Sequence, residues 1–353
     1  MKVRMPSGIK TGAKNLKKET VSPGKSYASD QDIRWCPGCG DYSILKQVQT
    51  VLLEENIPKE DIVFISGIGC SSRFPYYLDT FGMHAIHGRA ASIASGLRAL
   101  RKDLNIWVVT GDGDGLSIGG NHLIHLLRRN FNLNVLLFNN EIYGLTKGQY
   151  SPTSPQGTVN KTAVWGTIDL PFNPLKLALG ADATFIARAL DVDPLLLRTV
   201  LKRANKHHGT SFLEIYQNCN VFNDGAFSIL TNKATKKENT IILEHGKPLI
   251  FGQNDDKGVI MDGLTPKVVH TRDVSPDELW IHDEQDGLKA TILTRFFDNP
   301  EVNGFPRPLG VLYASQRSTY EDLLNDQKKQ AIEQMGKGNP YNLFKGKNFW
   351  EVK

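Results

Sequence analysis

The sequence predicts an α/β protein: a doubly wound, mostly parallel sheet with a smaller C-terminal extension. Two observations predict it. Strand-like apolar runs alternate with helical segments between about residues 34 and 224. The chain's unusual loops follow those runs, at the carboxyl ends of strands, where ligands sit in open α/β sheets. Residues 1–33 are polar and read as an N-terminal arm. Residues 34–224 read as the domain that carries the marked loops, and 225–353 as an extension that covers or docks something.

The elements follow in order. Ile44, Val48, Val51 and Leu52 share one face of a helix over roughly 41–55. IVFISG (62–67) suits a buried strand. AASIASGLRALR (90–101) is a helix with small residues for close packing. NIWVVT (105–110) is a second strand, running into GDGDG. The period over Ile118–Leu127 is helical, and NVLLFN (134–139) is a third strand. Asp193 and Pro194 begin a helix as N-cap and first-turn proline, which Gly209 can end. SFLEIYQ (211–217) is a fourth strand. Beyond a polar stretch at 225–240 come short strand-like pieces and a helix from about 318 to 335. No internal repeat or low-complexity tract appears.

Composition sets limits. With 353 residues, 40% hydrophobic and 22% charged, the chain can bury a large core. A formal charge of +5, evenly spread, does not argue for nucleic acid. No run of eighteen apolar residues predicts a membrane helix, and the basic N-terminus lacks the apolar core of a secretory signal. Four cysteines in a reducing, cytoplasmic setting suggest metal or redox use over structural disulfides.

Gly111-Asp112-Gly113-Asp114-Gly115 joins a strand to a helix. Glycines let backbone N–H groups approach phosphate oxygens, and the helix N-terminus adds a favourable dipole. Mg²⁺ takes oxygen ligands, usually one carboxylate plus phosphate oxygens. Asp112 can supply the carboxylate, and Asn140, one strand later, an uncharged amide oxygen. A tight αβ turn is the better account of a single GDG; the Asn139-Asn140 pair after the next strand tips the balance to the ligand. A dinucleotide site fails on spacing, because Leu116 stands where a third glycine belongs.

Cys36-Pro-Gly-Cys39 admits three readings. A thioredoxin-like pair would need a buried strand before Trp35, and SYASDQDIR is none. A structural zinc site normally uses two close pairs, whereas Cys70 and Cys219 stand alone. Four scattered thiolates suit an iron–sulfur cluster, though zinc stays open on spacing alone.

The motifs WCPGCGDY, GIGCSSRFPYY, HGRA, GDGDGLSIGGNH, NNEIYGLTKGQ and CNVFND occur in this order over about 32–225. Together they closely resemble the β subunits of 2-oxoacid:ferredoxin oxidoreductases. GDG…NN resembles the thiamine diphosphate fingerprint, whose halves lie about 25 residues apart, room for one helix and one strand. The resemblance implies a sheet of the thiamine-diphosphate-binding type. It implies Asp112, the Asn140 side chain and the Ile142 carbonyl as Mg²⁺ ligands. Gly113, Asp114, Gly144 and Leu145 would contact the diphosphate. Ile68, Gly69, Cys70, Ser71 and His87 would contact the cofactor. Cys36, Cys39, Cys70 and Cys219 would hold one [4Fe–4S] cluster.

The activity so implied is thiamine-dependent oxidative decarboxylation of a 2-oxoacid to acyl-CoA and CO₂, with electrons passed through the cluster to ferredoxin. It also implies an α subunit supplying the carboxylate that the aminopyrimidine ring needs. No nucleic acid and no membrane enter this reading. Arg73 and Lys147 sit where relatives place substrate-contacting residues; Arg offers a planar fork for a second carboxylate, which points to 2-oxoglutarate over pyruvate. Surface salt bridging or phosphate contact is the plainer role for either cation. His84, His122 and His125 receive no role. Three alternatives remain: the same reaction on pyruvate or another 2-oxoacid, a non-oxidative thiamine decarboxylase or carboligase, and a zinc-stabilised binding subunit without catalysis.

Overall fold

The computed structural model describes residues 27–298, 304–346 and 349–350. The arm expected over 1–33 therefore lies largely outside the described residues. Its visible end packs on the body: Tyr27 is buried, and its hydroxyl donates to the Ile57 carbonyl.

The centre is one mixed sheet of eight strands. In chain order these are β1 (Ile62–Ser66), β2 (Phe81–His84), β3 (Asn105–Gly111) and β4 (Leu133–Asn139). A small hairpin, β5 (Ile142–Tyr143) and β6 (Gln149–Tyr150), interrupts. Then come β7 (Phe185–Leu190), β8 (Thr210–Tyr216), β9 (Thr240–Leu243) and, after a separate antiparallel trio β10–β12 (Ile250–Phe251, Lys257–Asp262, Thr265–His270), β13 (Arg307–Ala314). The spatial order is β2-β1-β3-β4-β8-β7-β13-β9. The first six strands pair in parallel; β13 runs antiparallel to β7 and parallel to β9. Two strands of the main sheet thus come from beyond residue 225.

Helices cover both faces, because the buried strands are apolar on both. In β3, Ile106 and Val108 face one core while Trp107 and Val109 face the other. On the first side lie α2 (Ala90–Leu100), α3 (Gly120–Arg129) and α4 (Pro174–Gly180); on the second, α1 (Asp41–Glu54) and α5 (Pro194–Lys206). Ala90, Ala91 and Ala94 let α2 approach closely. Among the described residues no helix is long and apolar enough to cross a membrane.

Local chemistry sets the helix limits. Asp193 caps α5, its side chain accepting from the Leu196 N–H, with Pro194 in the first turn. The end differs from expectation. Helix α5 stops at Lys206, and Gly209 stands just before β8 at φ +146°. A Cβ there would lie 2.6 Å from Asn130 Oδ1 and 2.8 Å from Thr184 Oγ1. That glycine serves close approach, not a helix cap. The helical period at Ile118 also resolves differently: one π-helical turn (Asp114–Ile118) precedes α3, a local widening often found at functional sites.

Strand β7 escaped the sequence reading because Arg188 sits in its middle. Arg188 lies opposite Glu214 on β8, and the two form an ion pair at 2.7 Å with side chains 1% and 0% exposed. Glu214 also accepts from Asn139 Nδ2 at 2.8 Å. Removing one member of such a pair leaves an unpaired buried charge. Glu214→Leu should destabilise the chain by about 3–5 kcal/mol in urea unfolding, and adding Arg188→Met should recover most of the loss. A single-variant loss under about 1 kcal/mol would contradict this reading of the pair.

Candidate functional site

The carboxyl ends of β1, β3, β4 and β8 lie side by side, so the loops that follow them meet at one edge. The order 2-1-3 places a topological switch point between β1 and β3, where such sheets bind ligands.

Asp114 ties the first three loops together. Its carboxylate, 3% exposed, accepts from the backbone N–H of Ile68 at 3.0 Å and of Gly88 at 2.7 Å, and from Thr110 Oγ1 at 2.6 Å. His87 Nδ1 faces the same carboxylate, which an ionised Asp114 requires to be the N–H tautomer; Nε2 is then the ring's remaining polar atom. With its oxygens so engaged, Asp114 has only its backbone to offer a ligand.

Asp112 is also buried, at 2% exposure. Burial pushes its carboxyl up to about 6, while hydroxyls of Ser151 and Thr153 pull it back down. Both donate to Oδ2 at 2.6 Å, and among the described residues no side chain donates to Oδ1. Thr153 reaches Asn139 Oδ1 at 2.9 Å as well, and Ser154 Oγ donates to the Glu141 carbonyl at 2.5 Å. The turn Ser151-Pro152-Thr153-Ser154 therefore clasps the GDG loop to the NN loop. Tyr143 closes the other side. Its hydroxyl donates to the Gly113 carbonyl at 3.0 Å, and a Cβ at Gly113 would lie 2.2 Å from its ring, so only glycine fits there. Glu141, at φ +57°, is pushed up to about 8 by burial and by Asp112 nearby.

The residues named from sequence gather. Ile68, Gly69, Cys70, Ser71, His87, Asp112, Gly113, Asp114, Asn140, Ile142, Gly144 and Leu145 all line one cavity of about 120 Å³. Cys36, Cys39, Cys70 and Cys219 line a second, of about 180 Å³, together with Arg73 and Lys147. The two share Cys70, Asn140, Gly144 and Leu145 as a common wall. A Cβ on Gly144 would stand 3.5 Å from Cys219 Sγ and 3.7 Å from Cys70 Sγ. All four cysteines are free thiols. Burial raises Cys39, and raises Cys70 to about 12, with Asp41 adding to both. Trp35 Nε1 donates to the Cys70 carbonyl at 2.7 Å, which holds the CPGC loop against the GIGC loop. Among the described residues, no three or more His, Cys, Asp and Glu side chains are grouped to hold a metal ion by themselves.

Arg73 and Lys147 make no salt bridge among the described residues; Arg73 reaches only the Arg34 carbonyl, at 3.5 Å. Arg73 also lines a third, wider cavity of about 580 Å³ with Ile68, Gly69 and Leu145. His84 bonds to the Ser72 carbonyl through Nδ1 at 2.8 Å. Sequence reasoning missed Ser151, Thr153, Ser154, Tyr143 and Gln217. The hydroxyl-rich turn after the NN loop was the available signal for the first three.

Residues 67–215 match the family described as thiamine pyrophosphate enzyme, C-terminal TPP binding domain. The chain is 51% identical to the 2-oxoglutarate oxidoreductase subunit KorB of Mycobacterium tuberculosis over 93% of this chain and 88% of that one. It is 40% identical to the 2-oxoglutarate synthase subunit KorB of Methanocaldococcus jannaschii, over 65% of this chain and 86% of that one. Among solved structures it resembles a 2-oxoglutarate:ferredoxin oxidoreductase from Magnetococcus marinus with 2-oxoglutarate, coenzyme A and succinyl-CoA bound. The TM-score is 0.72 and the identity 32%, across 91% of this chain and 95% of that one. The mostly parallel sheet, the matched domain and these relatives agree: the chain belongs to the β subunits of the 2-oxoacid:ferredoxin oxidoreductases, in the 2-oxoglutarate:ferredoxin oxidoreductase group.

Proposed function

We propose that this chain, joined to an α subunit in the cytoplasm, catalyses the oxidative decarboxylation of 2-oxoglutarate with coenzyme A and passes the electrons to ferredoxin. The observation that carries the reading is the shared wall. The cavity lined by the thiamine-type motif and the cavity lined by four thiols meet at Cys70 and Gly144. A decarboxylating cofactor and an electron acceptor need that contact.

Thiamine diphosphate, when bound, supplies the carbanion chemistry that releases CO₂. The chain's own residues place it. Asp112, the Asn140 side chain and the Ile142 carbonyl would hold Mg²⁺, whose remaining ligands a diphosphate and water supply. A cation beside Asp112 also offsets the cost of its buried charge. Gly113, Asp114, Gly144 and Leu145 would meet the diphosphate through backbone. Ile68, Gly69, Ser71 and His87 would pack on the rest of the cofactor.

A [4Fe–4S] cluster, when bound, supplies a one-electron acceptor. Cys36, Cys39, Cys70 and Cys219 would hold it. The four line one cavity although they come from three separate loops, whereas a structural zinc site normally draws on two close pairs. Arg73 and Lys147, free of carboxylate partners and on the same cavity, would bind the substrate carboxylates.

The direct test is dye reduction. The complex with the α subunit should reduce viologen in the presence of 2-oxoglutarate and coenzyme A. This chain alone, reconstituted with iron, sulfide and thiamine diphosphate, should not. Turnover by the chain alone would refute the two-subunit reading. Arg73→Ala should lower kcat/KM for 2-oxoglutarate by about 10²–10³, the loss of a charged contact worth about 3–4 kcal/mol, and spare pyruvate. Equal losses on both substrates would give Arg73 another role. In calorimetric titration, Asp112→Ala should abolish Mg²⁺-dependent thiamine diphosphate binding. Thr153→Val, which removes one hydroxyl from Asp112, should weaken it by about tenfold, and Thr153→Ser should restore it. Wild-type affinity in Asp112→Ala would remove that carboxylate from the metal site.

A further inference from the structure

Gln217 follows β8, lines the cavity of the four cysteines beside the shared Asn140, and is 2% exposed. Its backbone N–H donates to the Asn139 carbonyl at 3.0 Å, which sets it beside the NN loop. Every polar atom of its side chain is engaged in two directions. Nε2 donates to the Asn218 carbonyl at 2.7 Å and to Cys39 Sγ at 3.2 Å. Oε1 accepts from Asn140 Nδ2 at 2.9 Å.

This network fixes two amide orientations. Turning the Gln217 amide over would set its oxygen against the Asn218 carbonyl, an acceptor, and its nitrogen against the Asn140 donor. The Asn218 carbonyl therefore orients Gln217, and Gln217 orients Asn140. Asn140 then keeps Nδ2 on Gln217, so Oδ1, which takes only the Ile142 N–H at 3.2 Å, is the atom available to a cation. The neighbouring loop is held in the same place: Asn223 Nδ2 donates to the Asn140 carbonyl at 2.9 Å, and the Asn218 N–H donates to Asp191 Oδ2 at 2.8 Å.

The other arm ends on sulfur. An N–H donor to a ligand sulfur stabilises the reduced, more negative state of an iron–sulfur cluster, and hydrogen bonds of this kind are among the determinants of cluster potential. Gln217 is the side chain here that touches both a candidate Mg²⁺ ligand and a candidate cluster ligand.

Resting on the function proposed above, we infer that Gln217 is a positioning residue that bridges the two cofactor sites: it presents the Asn140 oxygen to the thiamine-bound cation and donates to Cys39 Sγ to raise the cluster potential.

Two substitutions separate the arms, studied in the complex with the α subunit. Gln217→Glu keeps the shape and the acceptor for Asn140 but cannot donate to sulfur when ionised. Gln217→Leu removes both contacts. The readouts are the cluster midpoint, from redox titration followed by electron paramagnetic resonance, and the Mg²⁺ concentration that half-saturates thiamine diphosphate binding by calorimetry. Gln217→Glu should shift the midpoint to lower potential and leave the Mg²⁺ response within about twofold of wild type. Gln217→Leu should shift the midpoint in the same direction and raise the Mg²⁺ requirement by about tenfold. A wild-type midpoint in Gln217→Leu overturns the link to the cluster, because the added charge of Gln217→Glu lowers the potential even without a lost hydrogen bond. A wild-type Mg²⁺ response in Gln217→Leu overturns the link to the cation, and either result removes the bridging role. A wild-type complex with no iron–sulfur signal or no thiamine binding would instead refute the proposed function itself, so the two failures are distinct.

Discussion

The site depends first on one buried carboxylate. Asp114 accepts hydrogen bonds from Ile68 on the loop after β1, from Gly88 beside α2 and from Thr110 at the end of β3. Three segments far apart in sequence are thereby registered at the switch point of the sheet. A buried carboxylate with fewer donors would cost several kcal/mol, so each loop stabilises the charge that holds the others. Four partners converge on that one carboxylate, three of them on Oδ1. Flexibility at this edge would cost the alignment that the neighbouring backbone N–H groups need to meet a phosphate together.

A second constraint is charge. The same edge buries Asp112, Asp114, Glu141 and, under the CPGC loop, Asp41, whose carboxyl burial pushes up to about 7. Carboxyl groups buried this close together need compensation, from cations or from hydrogen bonds. Arg188 gives it to Glu214, and Arg307 lies close enough to lower Glu141. Asp112 is compensated by the hydroxyls of Ser151 and Thr153 and by backbone N–H groups, with no cation among the causes that shift it; in the proposed function a divalent cation supplies the missing positive charge.

Much of this was legible in the sequence for a physical reason. Strands buried on both faces show as continuous apolar runs, and β1, β3, β4 and β8 are of that kind. The loops that follow them carry glycine, cysteine and paired asparagine, residues with little use in a plain turn, and the structure brings those loops to one edge. Strand β7 was hidden by Arg188, whose burial makes sense only once Glu214 is known to lie opposite. Strands β9 and β13 were hidden by distance: they join a sheet whose other strands end near residue 216. Gln217 was unreadable for the same cause: its contact with Cys39 spans 178 residues, so it looks like surface until that loop is placed against it. Ser151 and Thr153 stood in a visible hydroxyl-rich turn, but their contacts with Asp112, 39 and 41 residues back, did not show.

The account stands or falls on one edge of the sheet holding two cofactors at once. Iron, acid-labile sulfide and thiamine diphosphate should be measured together in the complex purified without oxygen, from wild type and from Cys219→Ser. Wild type should contain iron and sulfide in equal amounts alongside thiamine diphosphate, and Cys219→Ser should lose the iron and sulfide while keeping the thiamine. Zinc in place of iron, or thiamine bound to a complex with no sulfide in wild type, would contradict it.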